Sequence, residues 1–115
     1  NYDYNPDAFD SLVLRTNWQG RRVIGTSDGL WGLVDGMNDA GLAISLTFGG
    51  RRVVGTGFGV PLILRYVLQT CTTAKEAGAV LARVPTHMTI KKMSNGSAMH
   101  VSRQLWNAKG FCCSA

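Results

Sequence analysis

The chain has 115 residues, 45% of them apolar and 17% charged, so it is long enough for one globular domain and too short for several. No apolar run approaches the roughly 20 residues of a membrane-spanning helix, which excludes that class of protein. The net charge of +5 comes from residues 77–115, because residues 1–76 carry seven acidic and seven basic side chains. Since the basic residues are not grouped with aromatic ones, we expect no nucleic-acid partner.

Four short stretches in the first 48 residues have the alternating or β-branched composition of half-buried strands. Turn-forming residues join them, as in "NWQGRR" (17–22) and "GMNDAG" (36–41). The pattern predicts an antiparallel meander with strands at 11–16, 23–27, 30–35 and 42–48.

Two helices are predicted to follow the meander. The stretch "VPLILRYVLQT" (60–70) is apolar on nearly all sides and has proline in its first turn, which indicates a buried helix. The stretch "TAKE" (73–76) has the form of a capping box, and Pro85 ends the helix that it starts. The "GTGFG" stretch (55–59) lacks the spacing of a nucleotide-binding loop and indicates a flexible connection. Two helices on one face of the meander make an α+β fold.

The three cysteines have neither metal-ligand spacing nor the spacing of a disulfide framework. We therefore expect no metal, no cofactor and a reducing, cytoplasmic location. Cys71 precedes a predicted helix start, where a thiol could be activated. Because neither histidine is spaced as a partner, a buried structural cysteine is the favoured interpretation. Cys112 and Cys113 are adjacent and cannot easily bridge each other.

Two stretches carry polar residues that an ordinary turn explains only in part. In "NYDY" (1–4), Asp3 is a carboxylate among aromatic side chains, although "YNPD" is turn-like. In "DGMNDAGL" (35–42), Asn38 falls at a tight turn, where asparagine tolerates left-handed backbone. Taken alone, each stretch is typical of a turn.

Together, "NYDYNPD" (1–7) and "DGMNDAGLAISL" (35–46) resemble the linear amide C–N hydrolases of the N-terminal-nucleophile (Ntn) superfamily. This group includes the choloylglycine hydrolases, the penicillin V acylases and the acyl-CoA:isopenicillin N acyltransferases, and the resemblance covers residues 1–89. It implies an αββα sandwich, of which the predicted elements form only a part. It also implies a cysteine nucleophile at the mature N-terminus, upstream of a Gly-Arg-Asn-x-Asp element. Because the chain starts at the asparagine of that element, we expect an incomplete domain without its nucleophile.

The resemblance assigns roles to individual residues of this chain. Asp3 matches the carboxylate that orients the amino group of the nucleophile, which serves as general base. Asn38 matches a residue at the oxyanion hole, where amide donors face the developing negative charge. Tyr4, Trp31 and Phe48 are expected to line the substrate pocket.

The resemblance stops near residue 90. In "THMTIKKMS" (86–94), Ile90 and Lys91 stand where the family has an aromatic residue and a second asparagine. The following stretch lacks acidic residues and periodicity, which favours a foreign or frame-shifted tail over a natural disordered terminus. The chain is thus predicted to comprise a partial Ntn-hydrolase domain (1–89) and an atypical basic tail (90–115).

We therefore expect part of a cysteine amidohydrolase or acyltransferase that acts on a small-molecule amide or acyl substrate and is inactive alone. We expect no membrane association, and a homo-oligomer is compatible with a full-length parent. One alternative is a non-catalytic α+β binding module whose glycine-rich turns form a ligand surface. Another is a truncated product without a function of its own, which would expose a strand edge and aggregate.

Overall fold

The computed structural model describes residues 12–46 and 55–87, together with the backbone of three later strands at 99–103, 105–106 and 112–113. Four antiparallel strands are followed by two helices, which confirms the predicted α+β arrangement. The elements are β1 (Val13–Trp18), β2 (Arg21–Asp28), β3 (Gly32–Asn38), β4 (Leu42–Leu46), α1 (Val60–Thr70), α2 (Ala74–Arg83), β5 (Met99–Arg103), β6 (Leu105–Trp106) and β7 (Cys112–Cys113).

The main sheet has five strands in the order β1-β2-β3-β4-β5, and every neighbouring pair is antiparallel. The β1–β2 turn uses Gln19 and Gly20, both with positive φ, as a two-residue hairpin requires. The register of β2 against β3 shifts between Thr26 and Ser27, which produces a bulge. All four predicted strands of the meander are present, with ends displaced by up to three residues.

The fifth strand lies in the stretch predicted to be an atypical tail. Met99–Arg103 pairs with β4, with Val101 opposite Ile44. Strands β6 and β7 form a separate two-stranded sheet. The backbone of residues 99–103 therefore continues the meander, whereas the division at residue 89 and the frame-shifted origin of the tail stay predictions.

The helices begin where their sequence signals place them. Helix α1 spans the predicted residues and has Pro61 in its first turn. At the start of α2, the Thr73 side chain accepts from the Glu76 backbone N–H, and the Glu76 carboxylate accepts from the Thr73 backbone N–H, so the capping box is confirmed. No helix in the described ranges is both long and apolar enough to cross a membrane.

The core lies between α1 and one face of the sheet. Helix α1 packs on β2, β3 and β4, and α2 contacts α1. Gly25 and Gly36 are paired across β2 and β3, and a Cβ on Gly36 would lie 2.9 Å from the Leu68 side chain. Gly36 therefore lets α1 approach the sheet closely, whereas a Cβ on Gly25 would meet backbone atoms of Asp35 and Gly36 in β3. In the part of the chain that the structure describes, the buried apolar residues are Val23, Leu33, Leu42, Ile44, Leu46, Val60, Ile63, Leu64, Val67, Leu68, Cys71 and Ala77.

The "GTGFG" segment is held by backbone hydrogen bonds, contrary to the expected flexible connection. Phe58 donates its N–H to the carbonyl of Pro85 (3.0 Å) and accepts from the N–H of His87 (2.9 Å). Gly55 donates to the His87 carbonyl at 2.7 Å. A Cβ on Gly57 would lie 2.6 Å from Pro85 and Thr86 backbone atoms, so glycine permits this close pairing.

Candidate functional site

Asn38 is the last residue of β3, and its side chain is completely buried. Its amide nitrogen donates to the carbonyl of Leu68 (2.9 Å) and to that of Cys71 (2.7 Å). Leu68 belongs to the last turn of α1, and Cys71 is its C-cap residue. The last carbonyls of a helix have no hydrogen-bond partner within the helix. The Asn38 amide supplies a donor to two such carbonyls at the end of α1.

The amide oxygen of Asn38 also has two hydrogen-bond partners. It accepts from the backbone N–H groups of Ala40 and Leu42, each at 3.1 Å. Gly41 completes the turn with φ of +80° and a hydrogen bond from its N–H to the Asn38 carbonyl. Two carbonyls on one side of the amide and two N–H groups on the other fix its orientation. The side chain thus joins the β3–β4 turn to the end of α1.

This geometry bears directly on the role that the resemblance assigns to Asn38. A primary amide has two protons, and both are donated to α1 carbonyls in a site closed to solvent. An oxyanion donor must direct a proton at the reacting carbonyl. Asn38 could do so only by exchanging one of these bonds, and its oxyanion role stays a prediction.

Asp39, the next residue, joins this turn to the β1–β2 turn. Its carboxylate accepts from the Arg21 guanidinium (3.1 Å) and from the Arg22 backbone N–H (3.2 Å). The Arg22 guanidinium lies 3.6 Å from the second carboxylate oxygen. Partial burial by itself raises the pKa of Asp39, but the Arg22 N–H bond and the Arg21 charge outweigh it and hold the pKa below its usual value.

Trp31 lies at the opposite end of β3 from Asn38. A strand rises about 3.3 Å per residue, so the two residues are on the order of 20 Å apart and are not brought together. The Trp31 side chain is 72% exposed, and its backbone carbonyl accepts from the Arg65 guanidinium at 3.0 Å. The Arg65 guanidinium also stacks on the Trp18 ring, 3.7 Å from its centroid. The substrate-binding role of Trp31 stays a prediction.

The other predicted site residues, Asp3, Tyr4 and Phe48, lie outside the described residues. Their roles rest on the sequence. Within the described ranges, no group of three or more histidine, cysteine, aspartate or glutamate side chains is arranged to hold a metal ion.

Cys71 belongs to the core. It is 3% exposed, its N–H donates to the carbonyl of Val67, and its carbonyl receives the Asn38 amide. A nucleophilic thiol must be reached by its substrate, so this environment fits the structural interpretation.

Sequence reasoning missed the partners of Asn38. Leu68 and Cys71 follow it by 30 and 33 positions, and their carbonyls are backbone groups without a residue-type signature. The only local signal is the Asn-x-x-Gly-Leu spacing, which indicates the turn but not the helix that the side chain reaches.

The fold and the site define an α+β protein in which an asparagine at a strand turn binds the end of a core helix. Residues 1–102 match the family model of acyl-coenzyme A:6-aminopenicillanic acid acyl-transferase. The chain belongs to this family, and with it to the choloylglycine-hydrolase-like Ntn hydrolases. No curated protein and no solved structure matches the chain.

Proposed function

We propose that residues 1–102 form part of a cysteine Ntn domain that cleaves linear amide C–N bonds or transfers acyl groups. The observation that carries the proposal is the family match over these residues, which include both Asp3 and the "GMNDAGL" turn. In the described geometry, this turn is hydrogen-bonded through Asn38 to the end of the core helix.

In the proposed mechanism, the amino group of an N-terminal cysteine accepts the thiol proton as general base. The thiolate attacks the substrate carbonyl, and the collapse of the tetrahedral intermediate releases an amine, or coenzyme A from a thioester. Water or an acceptor amine then takes the acyl group from the cysteine. Asp3 orients the amino group and stabilises its protonated form, since a carboxylate next to a cation favours the charged state.

The proposed nucleophile is a cysteine that the resemblance places before the Asn1–Asp3 segment. Cys71 is a poor alternative because it is buried in the core. We therefore propose that a polypeptide of these 115 residues is inactive alone. We also propose a small-molecule substrate, a cytoplasmic location and no nucleic-acid or membrane partner, with a homo-oligomer compatible with the parent.

The test compares three polypeptides: the 115-residue chain, the chain extended by the residues that its gene encodes upstream, and the extended chain with its N-terminal cysteine changed to alanine. Acyl-coenzyme A with 6-aminopenicillanic acid tests acyl transfer, and phenoxymethylpenicillin tests amide hydrolysis, both by mass spectrometry of the products. We expect activity in the extended chain alone. Turnover by the 115-residue chain, or by the alanine variant, would refute the proposed nucleophile.

Two carboxylate variants of the extended chain test the role of Asp3. Replacing Asp3 by asparagine removes the charge that orients the amine, and we expect a loss of kcat of at least about a hundredfold. Asp7→Asn is the matched control, because it removes the same charge from the same segment at a position to which the resemblance assigns no role. Equal activities of the two variants would contradict the assignment.

A further inference from the structure

An apolar groove lies between α1 and the C-terminal end of α2. Its volume is about 510 Å³, within the range of small-molecule sites. It is lined by Phe58, Leu62, Ile63, Tyr66, Arg83 and Val84. None of these residues belongs to the site described above.

The walls of the groove are apolar side chains that folding leaves in contact with water. Phe58, Leu62 and Tyr66 follow one another at intervals of four residues and are 59%, 45% and 46% exposed. Ile63 is buried and forms the floor. Three large exposed apolar side chains that line one groove with a buried residue are typical of a surface that binds an apolar partner.

The groove is preformed on one side. Phe58 is fixed by its two backbone hydrogen bonds to the Pro85–His87 segment, directly after α2. The His87 side chain adds a hydrogen bond between Nδ1 and the carbonyl oxygen of Gly55, at 2.9 Å. Because these hydrogen bonds fix the wall, binding there costs less conformational entropy than ordering a loose segment would.

Arg83 gives the groove one positive charge. It lies in the last turn of α2, where a cation complements the helix dipole. Among the described residues, no ion pair or hydrogen bond involves its guanidinium. Its donors are therefore available to an anion, and a guanidinium matches the geometry of a carboxylate.

From the apolar walls and the Arg83 guanidinium, which has no partner among the residues that the structure describes, we propose that the groove binds a fatty acid. The alkyl chain lies along Phe58, Leu62 and Tyr66, and the carboxylate pairs with Arg83. One negative charge at the end of an apolar chain complements both features of the groove, whereas an uncharged hydrocarbon leaves the guanidinium unpaired.

The test is isothermal titration calorimetry of the 115-residue chain with dodecanoate below its micelle concentration. We expect one saturable site, and we expect 1-dodecanol to bind more weakly. Removing the charge with Arg83→Gln should lower the affinity for dodecanoate roughly three- to tenfold. Lys75→Gln is the matched control, because it removes one charge from the same helix outside the groove.

Three results would overturn the proposal: no saturable binding, an equal affinity for dodecanoate and 1-dodecanol, or equal losses in the Arg83→Gln and Lys75→Gln variants. The comparison of the two ligands uses the unmodified chain and is independent of the folding of any variant. Arg83→Lys should retain most of the affinity, which separates a charge effect from a change of helix stability. This binding test does not depend on acyltransferase activity, so its outcome is independent of the proposed function.

Discussion

Asn38 and Cys71 are joined by a buried hydrogen bond of 2.7 Å between the side-chain amide of one and the backbone carbonyl of the other. With the second bond to Leu68, this contact fastens the end of the core helix to the sheet. Asn38 also lies in the stretch that carries the strongest part of the family resemblance. The hydrogen bonds of Asn38 give it a positioning role in the fold, and its oxyanion role stays a prediction.

The first prediction tests this role by removing the amide donors. Asn38→Ala leaves two carbonyls and two N–H groups unpaired in a buried site, and we expect a loss of about 3 kcal/mol in the free energy of unfolding. Asn38→Asp should destabilise the protein more at pH 7 than at pH 4, because a protonated carboxyl group can still donate one hydrogen bond. Urea unfolding measures both variants.

The control for these variants is Asn17→Asp, a change at an exposed position of β1. We expect it to alter the free energy of unfolding by less than about 0.5 kcal/mol. If Asn38→Ala is as stable as this control and yet abolishes turnover in the extended chain, the oxyanion role is favoured over the positioning role.

The second prediction uses two glycines with opposite outcomes. A Cβ on Gly36 would lie 2.7 Å from the Ile24 carbonyl and 2.9 Å from the Leu68 side chain. Gly36→Ala should therefore destabilise the protein by about 1–3 kcal/mol. Gly78 lies within α2 with open space around it, so Gly78→Ala should stabilise the protein by about 0.5–1 kcal/mol. Thermal unfolding that shows no loss of stability for Gly36→Ala would contradict the close packing at Gly36, and a loss for Gly78→Ala would contradict the open position of Gly78 in α2.

The third prediction concerns the pH dependence of stability. The pKa of Asp39 in the folded protein lies below 3.8, the value in the unfolded chain. The contribution of Asp39 to the free energy of unfolding is therefore complete above pH 3.8, and it is lost as the pH falls through the folded pKa. Asp39→Asn should cost about 0.5 kcal/mol at pH 7, a small amount because the ion pairs are partly exposed to solvent. The difference should vanish at the acidic end of a pH series of urea unfolding curves. A difference that stays constant across the series would argue against the ion pairs.

The fourth prediction separates the two interpretations of the C-terminal part. A chain that ends at Arg103 retains β5, whereas a chain that ends at Thr89 leaves one edge of β4 without a partner. We expect the longer chain to be monomeric and the shorter one to associate through that edge. Analytical ultracentrifugation distinguishes them. A shorter chain that is equally stable and monomeric would support a tail foreign to the domain.

Local signals predicted the helices and the meander well. Pro61, the apolar surface of α1 and the capping box of Thr73 and Glu76 act within a few residues of their own positions, so the sequence shows them directly. Strand β5 was missed because its pairing with β4 spans more than fifty residues, and because the alternation of Met99 and Val101 with His100 and Ser102 is confined to a very short stretch. The partners of Asn38 were missed for the same reason of distance along the chain.

The measurement that tests the central claim most directly is the turnover of acyl-coenzyme A and 6-aminopenicillanic acid by the extended chain and by its N-terminal Cys→Ala variant. Membership of the acyltransferase family, with a cysteine before Asn1 as nucleophile, predicts product from the first and none from the second. Equal turnover by both would contradict N-terminal cysteine chemistry. An absence of turnover in the extended chain on both substrates would favour the non-catalytic binding module.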